Sequence, residues 1–310
     1  MKNERERQAR RFTVFALLFL IFFSGCARRE GITRNNAQTP ERPLIVVSIL
    51  PQEWFVSRIG GDRFQTLVLA GPGQNPHDYE ASPKQISLLA GAGAWILSGA
   101  DFEISLRPKI ERLFPALPVI DGTEGVAFRR LEEHEHDDDD NEHSPLEIDR
   151  HTWLGCQPAK ILAAHIGETL AAIDPAGAEL YERNLHALQG DIDAEFAFLR
   201  SELAPLYGRN VFVYHPSFGY FLDEFGMRQQ AVETGGKSPG PRDLSRLIAL
   251  AKLEKPAAVF VQAQFPAAAA KTVAAAVDAQ LVSLDPLAPD WLANIRLMGE
   301  ALKAALGGGE

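Results

Sequence analysis

Short apolar, β-branched runs alternate with helical stretches along most of this chain. Leu44 to Leu50, Phe64 to Ala70, Ala94 to Ser98 and Pro118 to Asp121 read as strands bounded by Gly or Pro. Between them, Gln52 to Ile59, Pro83 to Ala90 and Phe102 to Phe114 read as helices. The alternation recurs with strands at Asn210 to Tyr214, Gln229 to Val232, Ala257 to Gln262 and Leu281 to Leu284. Helices at Pro216 to Phe225, Arg242 to Leu253 and Pro266 to Val277 separate them. Strands alternating with helices predict parallel sheets, and two sets of four predict two lobes.

One stretch joins the two sets. From Ala176 to Leu203, apolar residues fall at Tyr181, Leu185, Leu188, Ile192, Phe196, Leu199 and Leu203, the 3–4 residue spacing of an amphipathic helix. At 1.5 Å per residue it would be roughly 40 Å long, enough to run along both lobes and to limit their opening and closing. The predicted fold is therefore α/β, with two lobes, each a four-stranded parallel sheet flanked by helices, joined by one long rigid linker helix. The expected divisions are 44–174, 175–204 and 205–310.

The chain start breaks the pattern. A basic stretch precedes Phe12 to Phe23, an apolar run of twelve residues that is too short to span a bilayer, which needs roughly 20. A basic start, a short apolar core and then small residues are the layout of an export signal, here 1–25. Phe23-Ser24-Gly25-Cys26 resembles the lipobox of bacterial lipoproteins, which implies lipidation of Cys26 and membrane attachment through it. Residues 26–43 are mostly polar and aperiodic and read as a tether, which places the working protein outside the cytoplasm.

Composition narrows the function. A chain of 310 residues, 46% apolar and 23% charged, is globular and exceeds one comfortable core. Its formal charge of -10 argues against a nucleic-acid partner. Removing the signal, whose five basic and two acidic side chains net +3, takes that charge to -13. Only two cysteines are present, so neither a disulfide scaffold nor a Cys-rich zinc module is possible. Much of the acidity lies in Glu132 to His143, where eight carboxylates and three histidines (His134, His136, His143) crowd into twelve residues. Such a run is ordinarily a solvated, disordered segment, yet histidines among carboxylates also make an auxiliary, weak metal-binding loop.

In parallel α/β sheets, binding residues gather beyond the carboxyl ends of strands. His77 follows the second strand, His215 the fifth and Asp285 the eighth, while His151 lies after the acidic insertion. Two candidates precede the linker helix and two follow it, so each lobe would contribute a pair to the cleft. Singly, each is an ordinary turn residue. Together, imidazole nitrogens and a carboxylate form a set suited to zinc and acceptable to other first-row divalent ions.

At these positions the chain resembles the metal-binding receptors of bacterial ABC uptake systems for zinc and manganese, the ZnuA/TroA-like family. The resemblance is carried by PHDYEASP around His77, DRHTWL around His151, YHPSFGYF around His215, VETGGKSPGP, and SLDPL around Asp285. It covers the chain from about Leu44 to the C-terminal helix, with Arg150 and Gly155-Cys156 departing from the usual pattern. It implies that His77, His151, His215 and Asp285 are four metal ligands, that the partners are a permease and, through it, a cytoplasmic ATPase, and that the receptor acts as a monomer. Manganese receptors of the family typically carry a carboxylate at the third position. His215 stands there, so zinc is expected over manganese. Three histidines must be neutral to bind, so affinity should fall as pH drops through roughly 6.5.

Three other readings carry less. A zinc hydrolase needs an open coordination position and a base, and no HExxH-like motif accompanies any histidine. A surface adhesin has no specific sequence support. Ala231 to Ser238 resembles a relaxed phosphate loop, but Pro239-Gly240-Pro241 follows where a helix should open. His165 and His186 fall inside helical patterns and read as surface or packing residues, and Trp153, Phe218, Tyr220 and Phe221 as an apolar surround for the ligands.

Overall fold

The computed structural model describes residues 42–131, 148–231, 241–262, 264–265 and 268–307. The signal, Cys26 and the tether up to residue 41 lie outside the described residues, as do the acidic insertion and the phosphate-loop lookalike beyond Ala231.

The N-terminal lobe begins with β1 (Leu44–Ile49) running into α1 (Leu50–Gly60), then β2 (Gln65–Ala70), α2 (Pro83–Leu89), β3 (Ala94–Leu97), α3 (Asp101–Leu113) and β4 (Val119–Asp121). All pairings are parallel and the strand order is β2-β1-β3-β4. β1 and β3 lie at the centre, and Ile45, Val46, Val47, Trp95 and Ile96 are completely buried, as expected for strands covered on both faces.

After a 3-10 turn (Thr152–Leu154), α4 (Cys156–Ile173) leads to the linker helix α5 (Ala178–Glu202). α5 has 25 residues, hence a length of about 37 Å. Its buried face holds Tyr181, Leu188, Ile192, Phe196 and Leu199, the periodic positions read from the sequence. Asn184 Nδ2 donates to the Ile59 carbonyl of α1, and Arg58 pairs with Asp191. Further along, Glu195 receives both ends of the Arg296 guanidinium from the opposite lobe.

The second lobe repeats the first. It comprises β5 (Asn210–Val213), α6 (Gly219–Asp223), β6 (Arg228–Ala231), α7 (Pro241–Glu254), β7 (Ala258–Val261), α8 (Ala268–Ala276), β8 (Gln280–Ser283) and α9 (Trp291–Leu306). The sheet is again parallel, in the order β6-β5-β7-β8. α9 crosses α5 where Gly299 faces Leu199, and a Cβ at that glycine would run into the leucine side chain. The fold is thus the two-lobe α/β arrangement with a long connecting helix.

One predicted element is shorter than expected. The helix read over Pro216 to Phe225 forms only at Gly219–Asp223. Pro216 has no N–H, and the backbone before α6 is held by side chains instead. Gln262 donates to the His215 carbonyl at 2.7 Å, and Phe218 N–H donates to Gln229 at 2.8 Å. Those bonds keep His215 in a fixed turn rather than a helix. Among the described residues, no helix is long and apolar enough to cross a membrane.

Candidate metal centre

The carboxyl ends of both sheets converge on one cleft. His77 lies in the loop after β2, His151 just before the 3-10 turn, and His215 two residues beyond β5. Their Nε2 atoms meet. His77 Nε2 is 2.8 Å from His215 Nε2, which is 3.2 Å from His151 Nε2. Among the described residues these three histidines form the one group of His, Cys, Asp or Glu with ligand atoms close enough to share an ion.

Carboxylates fix how two of the rings face. His77 Nδ1 sits 2.6 Å from Asp101 Oδ2, and His151 Nδ1 sits 2.8 Å from Asp149 Oδ1. A carboxylate accepts only, so each Nδ1 carries the hydrogen and each Nε2 presents its lone pair to the cleft.

Each carboxylate has a second partner. Asp101 Oδ1 takes Arg150 Nε at 3.0 Å, and Asp149 Oδ2 takes Arg129 Nη1 at 2.8 Å. Burial alone would raise both carboxyls. Hydrogen bonds from the histidines, with the arginine charges, hold them below the ordinary carboxylate range. Burial, reinforced by His151 and His77, pushes His215 well below the ordinary histidine value, so it is neutral and ready to bind at neutral pH.

The cavity at this point holds about 30 Å³ and is lined by the three histidines with Asp101, Arg150, Trp153, Gln264 and Phe265. That is a small space, enough for an ion with a water or two. Phe265 stacks on His215 at 4.5 Å between ring centroids, and Trp153 meets His151 edge-on at 5.4 Å.

Asp285 stands outside the histidine group. Its Oδ1 accepts from Leu287 N–H at 2.9 Å and from Gln264 Nε2 at 2.8 Å. Cys156 is buried at the start of α4, with Asp193 as its side-chain neighbour and its thiol pushed up to about 11 by burial and nearby acids. It is not part of the group either. His165 Nε2 meets the Glu124 carbonyl, and His186 is exposed beside Glu182. Of the four aromatics expected around the ligands, Trp153 touches His151, and the Tyr220 hydroxyl donates to the Asp149 carbonyl. Phe218 and Phe221 belong to the hydrophobic core.

Asp101, Asp149 and Phe265 escaped the sequence reading. Asp101 obeys the same rule that found the histidines, because it lies just beyond the carboxyl end of β3. Asp149 carried a local signal in its spacing, two residues before His151, whose backbone N–H it also accepts at 3.0 Å. Phe265 reaches His215 across 50 residues and left no local trace.

Two parallel sheets that bring three imidazole nitrogens from both lobes onto an ion-sized cavity define a two-lobe metal-binding receptor. The chain belongs to the zinc-uptake complex component A (ZnuA) family of periplasmic proteins, whose model matches residues 45–305. The high-affinity zinc uptake system protein ZnuA of Brucella abortus is 29% identical over 283 residues, covering 80% of this chain and 84% of its own. A crystal structure of ZnuA matches with a TM-score of 0.76 at 32% identity, over 86% of this chain and 99% of the other. The Pseudomonas aeruginosa protein FpvC, solved with Mn2+, shares the fold with a TM-score of 0.73 at 23% identity, over 86% and 99% of the two chains. The protein is therefore a metal-binding receptor of this family and not an enzyme.

Proposed function

We propose that this protein captures zinc outside the cytoplasm and hands it to an ABC permease driven by a separate cytoplasmic ATPase. The carrying observation is the convergence of three Nε2 atoms on one small cavity, two of them oriented by carboxylates on the far side of the ring. Three imidazoles favour zinc over manganese, which prefers oxygen ligands. His77, His151 and His215 are the proposed ligands, with Asp285 as the fourth. Asp285 would have to leave its contacts with Gln264 and Leu287, or turn its other oxygen to the ion, to join them. A lipid on Cys26 would hold the receptor at the membrane as a monomer, and His134, His136 and His143 would bind further ions weakly. The lobes are proposed to divide at 44–174 and 205–310, with 175–204 between them.

Elemental analysis of protein purified without added metal, followed by competition titration of zinc against manganese, tests this reading. Wild type should prefer zinc. His215→Ala should lose tight zinc binding, and His215→Glu should shift preference toward manganese. Undiminished zinc binding by His215→Ala would remove His215 from the site.

A further inference from the structure

The two carboxylates that orient His77 and His151 are held in different ways. Asp101 is paired with Arg150 of its own lobe. Asp149, whose side chain is fully buried, is paired with Arg129, and Arg129 reaches across to the other lobe. Its Nε lies 2.9 Å from Asp223 Oδ2 at the end of α6, and its backbone N–H donates to the Tyr220 hydroxyl at 3.0 Å. That hydroxyl donates onward to the Asp149 carbonyl. The chain on either side of the acidic insertion is also clipped together, because Asp149 N–H donates to the Arg129 carbonyl at 3.0 Å and Arg130 bridges Ile148.

Gly219 shows that the guanidinium has a built seat. A Cβ there would collide with Arg129 Nη1 and approach Asp149 Oδ2 to 2.7 Å. Any larger residue would evict the arginine. Gly219 opens α6 four residues after His215, and the turn between them is fixed by Gln262 and Gln229. A rigid path therefore runs from His151 through Asp149 and Arg129 to the segment that carries His215.

We propose that Arg129 is a positioning residue for the bound ion, setting His151 of one lobe against His215 of the other without touching the metal itself. The inference rests on the reading of the three histidines as ligands. By holding Asp149 in place, Arg129 fixes the ring plane of His151. By resting on Gly219, it fixes the distance between the two ligand-bearing lobes. Direct hydrogen-bond partners of a metal-ligating histidine typically change affinity 10- to 100-fold when lost, and Arg129 acts through such a partner, Asp149.

The test uses the full folded chain with zinc competition titration, and cobalt(II) absorption as a report on ligand geometry. Arg129→Met and Gly219→Ala should each weaken zinc at least about tenfold and alter the cobalt spectrum. Because both changes act through the same guanidinium, the double variant should be no weaker than about threefold beyond the worse single variant. Wild-type affinity with an unaltered cobalt spectrum in both single variants would overturn the proposal, as would effects that multiply in the double variant. Should Arg129→Met fail to fold, as judged by metal-free thermal melts, Gly219→Ala decides alone. His215→Ala run in parallel separates the two readings. If it binds zinc normally, the ligand assignment fails; if it loses zinc while the Arg129 and Gly219 variants keep it, only the positioning role fails.

Discussion

Acidifying the metal-free protein isolates what it costs to bury His215. The residue is 3% exposed, and burial, with His151 and His77 beside it, holds its pKa well below 6.5. In the unfolded chain the same ring takes up a proton as pH falls through about 6.5. Below that value, and until the folded pKa is reached, the unfolded state binds one proton that the folded state refuses. Stability must then fall as pH falls, with a limiting slope of about 1.4 kcal/mol per pH unit for a single proton. Asp101 and Asp149 act elsewhere. Their carboxyls are held below the ordinary value of 3.8, so their contribution persists above that range and is lost only in stronger acid. Urea denaturation of chelator-treated protein between about pH 7.5 and 5, for wild type and His215→Gln, reads the difference directly. The variant should show the shallower slope, by up to about 1.4 kcal/mol per pH unit. Equal slopes in the two proteins would refute the claim that His215 is buried uncharged.

Other outcomes follow from single contacts. Trp291 Nε1 donates to the buried Trp153 carbonyl at 2.7 Å, so Trp291→Phe should cost about 1–3 kcal/mol for the unpaired acceptor, read as a lower denaturation midpoint. Deleting Glu132 to His143 should lower zinc stoichiometry while leaving one tight site, measured by calorimetry; loss of tight binding would move the site into the insertion. Cys26→Ser should shift the protein from the membrane fraction to the soluble fraction.

The architecture was largely legible in the sequence, because it depends on local periodicity. Apolar runs of strand length, the alternation with helices and the 3–4 residue spacing from Tyr181 to Leu203 each report which face of an element is buried. His77 and His215 stood out for the same reason: a strand end in a parallel sheet is a local feature, and the chemistry collects there. The extent of α6 was not legible, since the turn at His215 is held by Gln262 and Gln229, and neither lies within helical reach of it.

What the sequence determined by itself was the set of elements, their parallel pairing into two lobes, and the residue types available at the strand ends. The tertiary structure alone decided that three of those residues meet at Nε2, with Asp101 and Asp149 behind two of the rings and Arg129 joining one of them to α6. It also set Asp285 on Gln264 and Leu287 instead of in the histidine group. The physical reason is range. Periodicity records whether a side chain faces the core, whereas a hydrogen bond between residues as far apart as Arg129 and Asp223 exists only once both lobes have packed on α5.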